Sequence, residues 1–337
     1  MAEPGGLVPG RSCPPSYGYS PRALATASPL AAEAVYVIGG LYGNALALDA
    51  IEALAARETQ PPALIFNGDF HWFDAAPELF ASVQHRVLAH TALRGNVETE
   101  LAADDAAAGC GCAYPEAVPD EDVARSNAIL ERLRAVARTV PGACAALAGL
   151  PMFARVELGA ARIGVVHGDA WSLAGWRFAH DALHADLPEP PQARRRDEAL
   201  AAAFELAAVD GYACSHTCAP ALKLTPHGFV INNGAAGMAN FAGGTHGVIT
   251  RIALRALPRS LEPARVYGLH ETVRGQSLVV DALRVDFDAQ AYLREFDAVW
   301  PAGSPAAVSY RQRIAHGPSY APDQALGRAP AAAIACA

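Results

Sequence analysis

Three short aliphatic runs, each stopped by a glycine–polar turn, constrain the fold more than any other feature of the chain. Ala34-Val35-Tyr36-Val37-Ile38 ends at Gly39-Gly40, Ala63-Leu64-Ile65-Phe66 at Asn67-Gly68-Asp69, and Thr91-Ala92-Leu93-Arg94 at Gly95-Asn96. Between the first two, Asn44 can cap a helix running to about Glu58, with Leu46, Ile51 and Leu54 on its apolar face. Residues 76–88 read as a second helix. Strand, helix, strand, helix, strand at these intervals predicts right-handed crossovers and a largely parallel sheet.

The remainder is less regular. A helix is expected over 121–138 and a hairpin from Met152–Glu157 and Ala161–Val166 around Leu158-Gly159-Ala160. Residues 170–210 read as a helical insertion broken by the loop Leu187–Pro191. Strands are expected at 211–214, 228–232, 247–255, 264–270 and 278–287, then a helix from Ala289 to about Val299. The ends differ in character. Residues 1–32 are a flexible Pro/Gly-rich arm that Tyr17 and Tyr19 can lay over the domain, and 301–337 form an irregular Pro/Ala-rich tail. The domain proper is therefore 33–300.

Composition excludes several classes. With 52% apolar and 18% charged residues, the chain has material for a large core and too little charge for global disorder. A net charge of −8 argues against a nucleic-acid footprint or an anionic-membrane surface. Only one of the 26 basic residues is a lysine, Lys223, which with the abundant alanine reads as the codon bias of a G+C-rich bacterial genome. No apolar run is long enough to cross a bilayer, and Met1–Pro29 lacks the apolar core of a secretory signal. Seven cysteines make a disulfide framework a poor expectation and a reducing cytoplasm the better one.

The chemistry gathers at strand ends, where ligand sites of open α/β sheets lie. To the three turns above are added Val165-Val166-His167-Gly168-Asp169, closing a strand, and Ser215-His216-Thr217-Cys218, following another. One Asp, one Asn and two His can meet on one rim, a donor set suited to a single divalent Mn, Zn or Fe.

The order and spacing of these motifs, from about Val35 to Ile252, resemble the calcineurin-like metallophosphoesterase family. That family reads Asp-x-His-Gly-Asn, Gly-Asp, Gly-Asn-His, a strand-terminal His, then Gly-His-x-His. Gly43-Asn44 followed by Ala47-Leu48 matches as well, as does Asn232-Asn233-Gly234 after the last motif. The resemblance implies a two-sheet α/β sandwich flanked by helices, with the insertion between His167 and His216. It implies one intact metal site at Asp69, Asn96, His167 and His216. The private ligands of the second site map onto Gly40, Tyr42 and Cys218, and the family's catalytic His maps onto Val97. The losses thus fall on one half of the centre. Two metals clamp both the attacking and leaving oxygens of a phosphoryl transfer, whereas one polarises the phosphoryl group less completely. Losing the proton donor at Val97 costs roughly 10²–10⁴ in rate. The expected function is a divergent metal-dependent hydrolase of a small phosphomonoester or phosphodiester. The alternative is a non-catalytic binding or scaffold protein that kept the fold, as a retromer subunit of this fold did.

Other residues carry open readings. Tyr42 fills the volume of a vanished metal, ligates as a phenolate, or bonds substrate. Cys218 is a small buried hydrophobe or a soft ligand. His71 points back to the rim as an additional site residue, or into solvent. Cys110-Gly111-Cys112 reads as a surface loop, Arg194-Arg195-Arg196 as a solvated face or a phosphate contact, and His180 and His184 as an exposed pair rather than a metal pair.

Overall fold

A computed structural model describes residues 7–103, 106–185 and 190–328. Its strands are β1 (Pro29–Ala31), β2 (Ala34–Ile38), β3 (Ala63–Asn67), β4 (Thr91–Leu93), β5 (Phe153–Leu158), β6 (Ala161–Val166), β7 (Gly211–Cys214), β8 (Ala221–Thr225), β9 (Gly228–Asn232), β10 (Gly247–Ala253), β11 (Arg265–Val273) and β12 (Gln276–Val285). They form two six-stranded sheets, ordered β1-β5-β6-β7-β9-β8 and β11-β12-β10-β2-β3-β4. β2, β3 and β4 run parallel, as do β6, β7 and β9.

Period-two alternation divides each strand between two cores. Val35, Val37 and Ile65 point inward and meet Val156, Ile163, Val165 and Ile231 of the facing sheet. Tyr36, Ile38, Leu64 and Phe66 point outward, under the helices Ala45–Ala55 and Pro77–Val87. On the opposite outer face, Val166, Tyr212 and Val230 pack against Phe204 of the helix Pro190–Ala207. The molecule is thus a two-sheet α/β sandwich flanked by helices. Each fully buried Val, Ile or Leu contributes about 1.5–3 kcal/mol, so the layer between the sheets is the main force holding them face to face.

The arm lies over the domain through Tyr17 and Tyr19, as expected, while its strand β1, which extends the first sheet, was not anticipated; Tyr17 is buried with its hydroxyl donating to Glu100 at 2.6 Å. Tyr19 also ties the arm down, donating to the carbonyl of Asp169 at 2.5 Å. The tail is not irregular up to Arg328: Pro305–His316 is a helix capped by Ser304, and Pro322–Ala325 a short one. Aromatic residues buried among the predominant alanines, notably Tyr320, anchor it. β8 was not anticipated, and Ala221–Thr225 pairs with β9 as a hairpin. Residues 187–189 of the expected interrupting loop lie outside the described residues, and Pro190 and Pro191 open a helix. Among the described residues, no helix is long and apolar enough to cross a membrane.

Candidate metal centre

The sheets are stitched together where the motif-bearing strands end. Asn67, last in β3, donates its amide to the carbonyl of Val166 in β6 at 2.8 Å, and its own carbonyl accepts from His167 Nδ1 at 2.8 Å. Asp69 therefore leaves one sheet beside the histidine leaving the other. Asn96 opens the helix Asn96–Ala102 after β4, and His216 follows β7 by two residues. All four predicted ligands are buried. His167 Nε2 lies 3.3 Å from Asp69 Oδ2, 3.1 Å from Asn96 Oδ1 and 3.2 Å from His216 Nδ1.

The remaining atoms of these side chains fix what the converging atoms are. His167 Nδ1 faces the Asn67 carbonyl, so Nδ1 carries the proton and Nε2 a lone pair. His216 Nε2 faces the Cys112 carbonyl at 3.0 Å, which leaves the lone pair on Nδ1. Asn96 donates its amide to the Cys110 carbonyl at 2.9 Å, turning Oδ1 inward. Two imidazole lone pairs, an amide oxygen and a carboxylate thus face one another. One proton on His167 serves only some of them, whereas a cation serves all four. The three spacings about His167 Nε2 are of the size that neighbouring ligand atoms have around one ion with bonds of about 2.0–2.2 Å, and the Asp69, His167 and His216 donors all lie within 4.8 Å of one another. Outer N–H groups held by carbonyls are also how metal-binding histidines are oriented. The donor set fits a divalent ion.

In the metal-free protein, electrostatics pull the same groups apart. Burial opposes charge on His167, but the Asp69 carboxylate outweighs it and raises the His167 pKa. Burial and the neighbouring His167 push His216 down to about 4. Asp69 is lowered: burial alone would raise it, and the two imidazoles more than offset that.

Glu98, overlooked in the sequence, holds the motif turns together. Its buried carboxylate accepts from the backbone N–H of Asp69 (2.7 Å), Gly95 (2.8 Å), Phe70 (3.0 Å) and His71 (3.3 Å). Its signal was present: a Glu three residues beyond Gly95, at a helix start, is placed to reach back to the N-terminal N–H groups. Glycine is obligatory at position 68, where φ is +77° and a Cβ would fall 2.5 Å from the Gly95 nitrogen and 2.7 Å from His167 Nδ1.

The positions that the family resemblance assigns to a second metal site are filled by neutral groups. The Tyr42 ring lies over Gly40, where an added Cβ would meet ring carbons at 3.0 Å and the hydroxyl at 3.1 Å. The Tyr42 hydroxyl lies 2.6 Å from Cys218 Sγ. Burial, with Cys218 and Asp69 nearby, raises Tyr42 well above the ordinary phenol range. Burial also raises the Cys218 thiol, although Arg313 opposes it. Both are therefore protonated at neutral pH. This agrees with the volume-filling reading of Tyr42, while Cys218 is half-buried and polar-bonded rather than a simple hydrophobe. Val97 is buried and gives Asp69 Oδ1 only its backbone N–H, at 3.2 Å.

His71 reaches neither the rim nor solvent. It is buried, bonds Asp74 at 2.6 Å and stacks on Phe80 at 3.7 Å. Cys110-Gly111-Cys112 is not a surface loop: both cysteines are buried and joined as a disulfide, and their carbonyls orient Asn96 and His216. The need for those carbonyls could not be seen from a C-x-C pair alone. His180 is buried against the carbonyl of Gln324, and His184 is half-buried, so they are not an exposed pair. Arg194 and Arg195 are exposed, and Arg196 pairs with Asp197.

No family model and no curated protein matches the chain. By structure it is similar to a hypothetical protein of Pyrococcus horikoshii OT3, with a TM-score of 0.53, 15% identity, and coverage of 86% of this chain and 100% of that one. It also aligns with a metallophosphoesterase of Sphaerobacter thermophilus, with a TM-score of 0.49, 16% identity, and coverage of 85% and 99%. The shared architecture with the Pyrococcus horikoshii protein is the two-sheet α/β sandwich flanked by helices. At these identities the likeness speaks to architecture, and the site rests on its own geometry.

Proposed function

We propose that this chain is a divergent phosphoester hydrolase holding one divalent ion, Mn, Zn or Fe, at Asp69, Asn96, His167 and His216. The supporting observation is the four inward lone-pair groups, three of them locked by N–H donation to the carbonyls of Asn67, Cys110 and Cys112. A bound ion would supply polarisation of a phosphoryl oxygen and acidify a water. Asp69 balances part of its charge, and the histidines and Asn96 hold position without adding any. The half-buried Arg313, anchored to the carbonyls of Ala239 and Cys218, lines the same cleft and suits an anionic group. The substrate in this reading is a small phosphorylated molecule, with neither nucleic acid nor membrane as partner.

Val97 favours the second reading, a binding protein, because nothing there can protonate a leaving group. Metal content of protein purified without a metal-affinity column, followed by a p-nitrophenyl phosphate and bis-p-nitrophenyl phosphate assay with manganese, separates the two. One equivalent per chain, lost in His167→Ala, with slow turnover supports the hydrolase. One equivalent without turnover leaves the binding protein. No metal removes the proposal, and two equivalents would show that the Tyr42 side still binds.

A further inference from the structure

The cleft beside the metal centre has walls that the centre does not explain. It spans about 560 Å³ of empty space, the solvent at its open mouth included. Trp72, Trp176, Tyr114, Tyr310 and Val97 line it, with Asp69 and Arg313 as the charged side chains among the described lining residues. Trp176 and Tyr310 come from segments that the family motifs do not cover. Asp169 accepts from the backbone N–H of Trp171, Ser172 and Arg177, shaping the loop that presents Trp176. Tyr310 and Arg313 stand one turn apart on the helix Pro305–His316.

The polar tips of Trp176, Tyr114 and Tyr310 are already engaged. The Trp176 indole donates to the Cys112 carbonyl at 3.1 Å. The Tyr114 hydroxyl lies 3.1 Å from Ser126 Oγ, and the Tyr310 hydroxyl bonds the same pair. What these three rings offer a ligand is therefore face and edge. The Trp176 ring sits 5.6 Å from His216, edge-on, and 6.1 Å from Tyr114, so the aromatic wall begins at a metal ligand. Along these three ring faces a polyol or sugar would lose hydration without gaining partners. A flat apolar group would be stacked and desolvated favourably.

Resting on the metal-site reading above, we infer that the substrate carries an aromatic group next to its phosphate. The anionic head sits between the metal centre and Arg313, and the ring lies against Trp176 and Tyr310. The test uses two non-hydrolysable probes that share a head group, phenylphosphonate and methylphosphonate. Both are titrated calorimetrically into the full-length, manganese-loaded chain. Phenylphosphonate is expected to bind about tenfold tighter or more. That ratio should fall to within about threefold of one in Trp176→Ala and in Tyr310→Ala, and stay at the wild-type value in the surface control Val308→Ala. Equal affinities in the wild type overturn the inference while leaving the metal reading intact, and need no variant to fold. A ratio that survives both ring deletions overturns the placement. Metal uptake without binding of either phosphonate also overturns it, whereas absent metal uptake marks failure of the underlying reading instead.

Discussion

Tyr42 stands at a position that the family resemblance assigns to a metal ligand, and a double-mutant cycle measures how firmly it occupies that place. Gly40 has φ +64°, a conformation that costs an L-residue about 1–2 kcal/mol. In Gly40→Ala the new methyl would also meet the Tyr42 ring at 3.0 Å. The ring cannot easily retreat, because its hydroxyl is held at Cys218 and the Phe73 ring lies 5.8 Å away. Overpacking of this kind adds about 1–3 kcal/mol. Gly40→Ala should therefore cost about 2–5 kcal/mol in the wild type. In a Tyr42→Ala background only the backbone share should remain, about 1–2 kcal/mol, giving a coupling of about 1–3 kcal/mol. Urea unfolding of the four proteins, compared at constant m-value, provides the numbers. A coupling below about 0.5 kcal/mol would refute the claim that the Tyr42 ring fills the space over Gly40, and with it the account of how that half of the centre was closed.

Glu98→Gln leaves one amide oxygen for four N–H groups and turns an NH₂ toward the others. At about 1.5–3 kcal/mol per hydrogen bond to a charged group, losing two should cost about 3–6 kcal/mol, read by urea unfolding, with weaker metal uptake in calorimetry. The thermal stabilisation given by manganese should be largest above pH 7 and shrink below pH 6, followed by differential scanning fluorimetry. The sign follows from His167: its pKa is raised by Asp69, so without metal its stabilising proton is fully in place below the ordinary value of about 6.5 and lost as pH rises through the higher folded value. Metal must displace that proton, so its advantage grows with pH. His216, held down to about 4, destabilises the metal-free fold as pH falls below about 6.5, which sharpens acid unfolding without reversing that trend.

The parts of this molecule legible in the sequence are those governed by local chemistry. Strand runs such as Gly211–Cys214 and Gly228–Asn232 were placed from apolar patterning between turns. Asp69, Asn96, His167 and His216 were placed together because each follows a strand end, and strand ends share a rim. What escaped depends on tertiary partners. Ser304 and Pro305 are ordinary helix-start signals, but the Ala- and Pro-rich stretch after them has too weak an apolar stripe to announce a helix. Its order comes from packing, with Tyr310 meeting the Phe73 ring at 5.1 Å. Cys110-Gly111-Cys112 is buried under partners from elsewhere in the chain, Asn96, Asn127 and His216 among them, and no local pattern encodes them. His71 was ambiguous for the same reason, since Asp74 and Phe80 decide where it points.

Under the family resemblance, Gly40, Tyr42 and Cys218 make physical sense as one change of electrostatics. An emptied metal site lined by carboxylate and imidazole would leave buried charge unpaired, which is costly. Here the carboxylate position is Gly40, the imidazole positions are a phenol and a thiol, and both remain protonated. Asp69 is left as the ionised group shared with the retained half. Under the proposed reading, a divalent ion there carries a net charge of about +1 with Asp69, and Arg313 adds another beside it. Aromatic walls keep the local dielectric low, so that charge acts strongly on an anion. Val97 and the Tyr42–Cys218 pair meanwhile offer little that strengthens as a leaving group departs. Attraction that is equal for ground and transition states tightens binding without raising turnover. Under that reading the site is better built to hold a phosphorylated aromatic molecule than to cleave it quickly. High affinity with slow turnover is then the expected behaviour, the regime in which a hydrolase and a binding protein differ only by the missing proton donor at Val97.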